Sequence, residues 1–202
     1  MAKQAQRSAS TVGAILATAR ALFSEQGFEA VSIDMIARDA GIAKGAVYHH
    51  FTSKRDLLDR LVDTMQAELA TQLASELPGG PPTSRSLANS VGTYLQAAQR
   101  ADRKRILLID GPIVLGWQRW REIDDRYFAA AMRAGIQGIM PSLATTKEVD
   151  AVTRLTLGAI MEAALASGSA VEASATSAAF VEALHLMLSG VASMEGRDAA
   201  DA

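Results

Sequence analysis

The sequence predicts an all-α protein of about nine helices, with a small three-helix head followed by a larger helical body. Three observations carry that expectation. Alanine and leucine dominate a composition that is 49% apolar but only 5% aromatic, and both residues favour helix. Apolar residues recur at three- and four-residue spacing along most of the chain, with no alternating strand pattern and no internal repeat. Residues 32–54 read as a helix, a tight turn and a second helix.

Residues 1–9 are polar and lack periodicity, so a solvated, disordered arm is expected. The first helix spans about Ser10 to Gln26, with Ile15, Ala19, Leu22 and Phe23 on its buried stripe and Gly27 as its stop. Ser32 can cap the second helix, because its hydroxyl can accept from the free amides of the first turn. Ile33, Ile36, Ala37 and Ala40 form that helix's apolar face. Gly41 can take the left-handed conformation that ends a helix, and Ile42 plugs the corner. The third helix runs from about Ala43 to Phe51, with Val47 and Phe51 inward. Its other side carries Lys44, Ala46, Tyr48 and His49, donors and small groups suited to a major groove. This is the helix-turn-helix arrangement, whose second helix reads double-stranded DNA.

The fourth helix starts near Ser53 and runs to about Leu77, with Leu57, Leu61, Met65, Leu69 and Leu73 four residues apart. At 1.5 Å per residue it is ~37 Å long. It is too long to serve the head alone and should bridge head and body. Residues 78–82, Pro-Gly-Gly-Pro-Pro, break the chain. The fifth helix covers about Ser84 to Arg100, with Leu87, Val91, Tyr94 and Leu95 inward. A short sixth, about Asp102 to Ile109, ends at a turn formed by Asp110, Gly111 and Pro112. The seventh runs from about Leu115 to Ile139 and carries Trp117, Trp120, Ile123, Tyr127 and Phe128. Pro141 ends it. The eighth spans about Lys147 to Ser167, closed by Gly168, and the ninth about Ser174 to Met194. The expected division is a head at 1–52 and a body at 53–202, with the helix over 53–77 common to both.

The run Ile36-Ala37-x-x-Ala40-Gly41-Ile42-x-x-Gly45-x-x-Tyr48-His49-x-Phe51, followed by Ser53, Lys54 and Leu57, resembles the signature of the tetracycline-repressor family of bacterial regulators. The resemblance covers about a quarter of the chain, Ile15 to Leu61. It implies a ligand-responsive, homodimeric transcriptional regulator, most often a repressor, acting on a palindromic operator. It implies a small-molecule effector in the body, and dimerisation through the last two helices, the eighth and ninth. One position departs from the pattern: Ala43 stands where the family usually has Ser or Thr as the cap of the recognition helix. A ligand-independent repressor or an activator on the same fold stays open.

The net charge is −2, yet residues 1–60 hold eight basic and six acidic side chains. A mildly basic head on an acidic body suits a small DNA module carried by a larger domain. Tyr48 and His49 are expected on phosphates and Lys44 near base edges or phosphate. Lys54, in the first turn of the long helix, is expected on a phosphate, and Ser32 could bond one as well as cap. No apolar run long enough to span a membrane is present, and no secretory leader is visible. The absence of cysteine fits a reducing cytoplasm.

Catalysis finds no nucleophile elbow, phosphate-binding glycine loop or zinc-protease motif. His49 and His50 point about 100° apart on a helix and cannot easily share a metal ion. No cofactor is expected. The scarce aromatics Tyr94, Trp117, Trp120 and Phe128, with Met161, are candidates for the wall of an effector pocket, against the alternative of plain core. Glu162 and Asp110 would add a preference for a cation if they lie inside. An aromatic or lipophilic effector is therefore expected.

Overall fold

A computed structural model describes residues 2–76, 79–140, 145–166 and 170–198. The helices are α1 (Ala2–Gln26), α2 (Ile33–Asp39), α3 (Lys44–His50), α4 (Lys54–Glu76), α5 (Ser84–Ala98), α6 (Ala101–Lys104), a π-helical segment π1 (Arg105–Asp110), α7 (Gly111–Leu115), α8 (Trp117–Ile139), α9 (Thr146–Ala166) and α10 (Ala170–Asp198). The stretch from α6 through π1 to α7 is one unbroken helical run, so the described residues form nine helical rods and no strand. Parts of the expected breaks, at Leu77, Pro78, Pro141, Ser167 and Gly168, lie outside the described residues.

Boundaries differ from expectation in three places, one being the last helix, which spans Ala170–Asp198 rather than about Ser174 to Met194. The first helix begins at Ala2 rather than Ser10. Ala, Lys, Gln and Arg in the arm are good helix formers, and extending a helix already nucleated by the packed turns at Ile15 to Phe23 costs little. The chain also does not turn at Asp110-Gly111-Pro112. Pro112 lies inside this run and supplies no amide hydrogen to it; the Leu107 carbonyl five residues back accepts instead from the Trp120 indole at 2.8 Å. The Gly111 amide reaches back five residues to the Ile106 carbonyl. The actual break is at Gly116, whose φ of +78° suits a residue without Cβ.

The chain divides into two compact units, residues 1–66 with 100–123 and residues 67–99 with 124–202. That differs from a division at 52/53. The three-helix head does not stand alone: α6, π1, α7 and the start of α8 belong to its unit, and α4 runs through both. A head this small gains a core it could not supply by itself. Ile15, Phe23, Ile36, Val47, Leu57, Leu58, Ile106, Leu107 and Trp120 are almost wholly buried there. Residues five apart on a π-turn lie roughly one turn apart, whereas on an α-helix they would diverge by ~140°. So π1 presents Arg105 and Asp110 together. The Asp110 carboxylate accepts from the Phe28 amide at 2.9 Å and lies 3.7 Å from the Arg105 guanidinium. Arg20 of α1 meets Asp102 at 2.6 Å. Burial raises that carboxyl, but hydrogen bonds from Arg20 and Arg100 outweigh it and hold it below the ordinary aspartate value.

In the second unit α10 packs on α5, and both touch α9. Leu69, Leu95, Ile136, Val149, Met161 and Leu188 form its core. Thr83 caps α5 through a reciprocal bond with Ser86. Asp125 of α8 pairs with Arg154 of α9.

Candidate nucleic-acid interface

The corner between α2 and α3 forms as its residues dictate. Ser32 Oγ accepts from the Met35 amide at 3.2 Å. Gly41 has φ +65°, and the Ile42 amide returns to the Ala37 carbonyl at 2.9 Å, closing the end of α2. Val47 is wholly buried, which fixes the rotation of α3 about its axis. The opposite face is turned outward: Lys44 and His49 are exposed, Ala46 is half-buried and Tyr48 is 49% exposed. The Ser32 hydroxyl, exposed and used here as an acceptor, keeps its hydrogen to donate. The turns and caps named so far are local, and the cap of α3 is missing: Ala43 holds the N-cap position with extended geometry and no side-chain bond. We expect Ala43→Ser to raise stability by about 0.5–2 kcal/mol, read as an upward shift in the denaturation midpoint; an unchanged midpoint would contradict it.

Two cations of this surface are already engaged. The Lys44 ammonium lies 2.7 Å from Asp34 Oδ1 and 3.0 Å from Oδ2. The hydrogen bond that Lys44 donates to Asp34, then the charge of that carboxylate, raises the lysine above its ordinary value. Lys54 departs furthest from expectation. Its ammonium turns inward, donating to the carbonyls of Phe28 at 2.7 Å and Val31 at 2.9 Å, and sits 4.1 Å above the Phe28 ring. It ties the start of α4 to the α1–α2 turn, so its donors are spent within the head rather than offered to a phosphate. The cap of α4 is Ser53, whose Oγ accepts from the Asp56 amide at 3.0 Å, while Asp56 accepts from the Thr52 amide at 2.7 Å. His49 and His50 meet edge to face, 5.2 Å apart.

The residues expected to line an effector pocket are divided between the two units. Trp117 and Trp120 stack at 5.4 Å in the first unit. Tyr94 and Phe128 meet edge to face at 5.5 Å in the second, which also holds Met161 and Glu162. Trp120 is core, 1% exposed, and its indole N–H donates to the Leu107 carbonyl at 2.8 Å. Tyr94 and Met161 are buried too. Asp110 is committed to Phe28 and Arg105, and Glu162 lies on an exposed face of α9. Of the four aromatics, Trp117 alone is exposed, at 55%. It lines a groove of about 550 Å³ with Arg55, Asp59, Leu115, Gln118, Arg119 and Glu122. There Arg119 bridges Asp59 at 2.7 and 2.8 Å and reaches Glu122 at 3.3 Å. Arg55 donates to the Val114 and Leu115 carbonyls that end α7. Sequence reasoning did not reach this groove, because Arg55 and Asp59 precede Trp117 by some sixty positions.

Residues 15–61 match the family model described as bacterial regulatory proteins, tetR family, and residues 85–191 match one described as tetracyclin repressor-like, C-terminal domain. The chain is 31% identical over 109 residues to the HTH-type transcriptional regulator AcrR of Shigella flexneri, covering 52% of this chain and 50% of that protein. It is 30% identical over 129 residues to the transposon Tn10 TetC protein of Escherichia coli, covering 62% and 63%. The chain therefore spans about half to two-thirds of the length of these curated relatives. A solved TetR-family transcriptional regulator from Pectobacterium atrosepticum superposes with a TM-score of 0.74 at 29% identity, over 92% of this chain and 96% of that one.

Proposed function

Because this chain belongs to the tetracycline-repressor family of bacterial regulators, we propose that it works as a homodimeric, ligand-responsive repressor that binds a near-palindromic operator. One observation carries the reading: α3 is locked by buried Val47 and turns Tyr48, His49, Lys44 and Ala46 outward together. Lys44 reads a base edge; Tyr48, His49 and the Ser32 hydroxyl hold phosphates. Lys54 supports the surface from behind. The family is one of transcriptional regulators rather than enzymes.

The exposed faces of α9 and α10 support dimerisation. Leu155 and Leu165 on α9 and Leu186 and Met187 on α10 are each at least half exposed, beside Gly158 and Gly190, where close approach meets no neighbouring atom. A two-fold axis there would set the recognition helices in successive major grooves, ~34–36 Å apart. The effector is an aromatic or lipophilic molecule, a reading supported by open Trp117 alone, since the rest of its groove is lined largely by charged side chains. A cationic preference has lost its support, since Asp110 is engaged within the fold and Glu162 is exposed. Effector acts only through its difference in affinity for the bound and released states. No helix among the described residues is long and apolar enough to cross a membrane, and we place the protein with its DNA in the cytoplasm.

Selection from random-sequence duplexes, with sedimentation of the recovered complexes, tests this. Recovered sites should be inverted repeats with halves about one helical turn apart, bound by two chains. Single half-sites bound by a monomer would overturn the dimeric reading, and no enrichment would overturn DNA binding.

A further inference from the structure

We propose that Asp34 is a specificity-determining residue of the DNA-reading surface: it holds Lys44 in a carboxylate pair that only the correct base edge displaces. The inference rests on the reading of α3 as the recognition helix. Asp34 lies in the first turn of α2, and Lys44 is the first residue of α3. Their charged atoms are 2.7 and 3.0 Å apart. Both side chains are open to solvent, 54% for Lys44 and 64% for Asp34, so the pair stands on the surface rather than under it.

Three features make Asp34 more than an incidental partner. First, the N-terminal residues of a recognition helix are those that meet base edges, and Lys44 holds that place. Second, α3 has no side-chain cap at Ala43. The Asp34–Lys44 pair ties its first turn to α2 in place of one. Third, the same economy recurs around it. Arg38 is paired with Asp39 at 2.7 Å, and Lys54 is spent on the Phe28 and Val31 carbonyls. The head therefore offers phosphates much less free positive charge than its lysines and arginines suggest.

The consequence follows from how proteins bind DNA. Non-specific affinity scales with the number of phosphates neutralised. A lysine tied to a carboxylate contributes little to that sum, and the carboxylate repels phosphates. At the right site, acceptors such as guanine O6 and N7 replace the carboxylate as Lys44's partner. At a wrong site nothing does, and the pair stays closed. Asp34 thus lowers binding to arbitrary DNA more than binding to the operator.

The test uses the full-length protein, its selected operator and a scrambled duplex of equal length, titrated at several salt concentrations. Asp34→Asn should tighten the scrambled duplex by about 5–10-fold and steepen its salt dependence by about one counterion. Operator affinity should rise less, by no more than about 2–3-fold, because binding there gains only what opening an exposed, weak pair had cost. Asp34→Glu, which keeps the charge, should keep the wild-type ratio. In a Lys44→Gln background, Asp34→Asn should no longer change the ratio. An equal gain on both duplexes, or a gain that persists in the Lys44→Gln background, would overturn the proposal in favour of a general charge effect. If Lys44→Gln alone leaves operator binding intact, the reading of Lys44 as a base contact falls, and the proposal with it.

Discussion

Replacing Lys54 by Met lowers stability by about 2–4 kcal/mol, less than the full worth of the two charge-assisted hydrogen bonds and one cation–π contact it removes, because Lys54 is only half-buried. The bonds are those to Phe28 and Val31, and the ring is that of Phe28. Methionine restores the aliphatic stem but supplies no donor, so both carbonyls lose their partner. Against a total of roughly 5–15 kcal/mol for an ordinary domain, this is a large fraction. The salt dependence of DNA binding should stay the same, since the ammonium was not available to a phosphate. Denaturant unfolding and affinity titrations at several salt concentrations check both halves. Unchanged stability with a salt slope flatter by about 1 would restore Lys54 as a phosphate contact.

The double substitution Leu186→Glu, Met187→Glu should leave the helices intact and abolish tight operator binding. Both side chains project from α10, 62% and 63% exposed, so the monomer loses no core contact. A charged pair on the proposed two-fold face would face its own symmetry mate, adding like-charge repulsion to lost apolar burial. A monomer engages one half-site, and losing the second should cost about 10²–10⁴-fold in affinity. Sedimentation reads the monomer, circular dichroism the retained helix, and operator titration the loss. A protein that remains dimeric and binds as tightly as wild type would move the interface elsewhere.

The parts of this protein that could be read from sequence are those whose partners lie within one or two turns. Ser32 finds the Met35 amide three residues on, and Gly41 and Ile42 close on Arg38 and Ala37. Val47 and Phe51, four apart, define the buried side of α3 and so the outward side that carries Tyr48. Capping and helical periodicity are local physics, and local patterns report them. The inward turn of Lys54 could not be read for the opposite reason: its carbonyls lie 26 and 23 residues back. Asp110 meets the Phe28 amide across 82 positions, and no spacing rule spans that distance. The wider turn of π1 brings Arg105 to Glu25 of α1 and Asp110 to Phe28 of the turn after it, whereas Gly111 and Pro112 read by themselves as a turn. Trp117 and Trp120 are three residues apart and alike in type. One is open and the other is 1% exposed, a difference fixed by Leu107 and the start of α8 at Gly116 rather than by composition.

The central claim is that α3 enters the DNA with its outward face. A photo-crosslinking amino acid placed at Tyr48 and, separately, at Leu155 of α9 tests it most directly, using the selected operator as duplex. The account predicts cross-links from position 48 to both half-sites, about one helical turn apart, and none from position 155. Cross-links from position 155, or none from position 48 while the operator is bound, would contradict it.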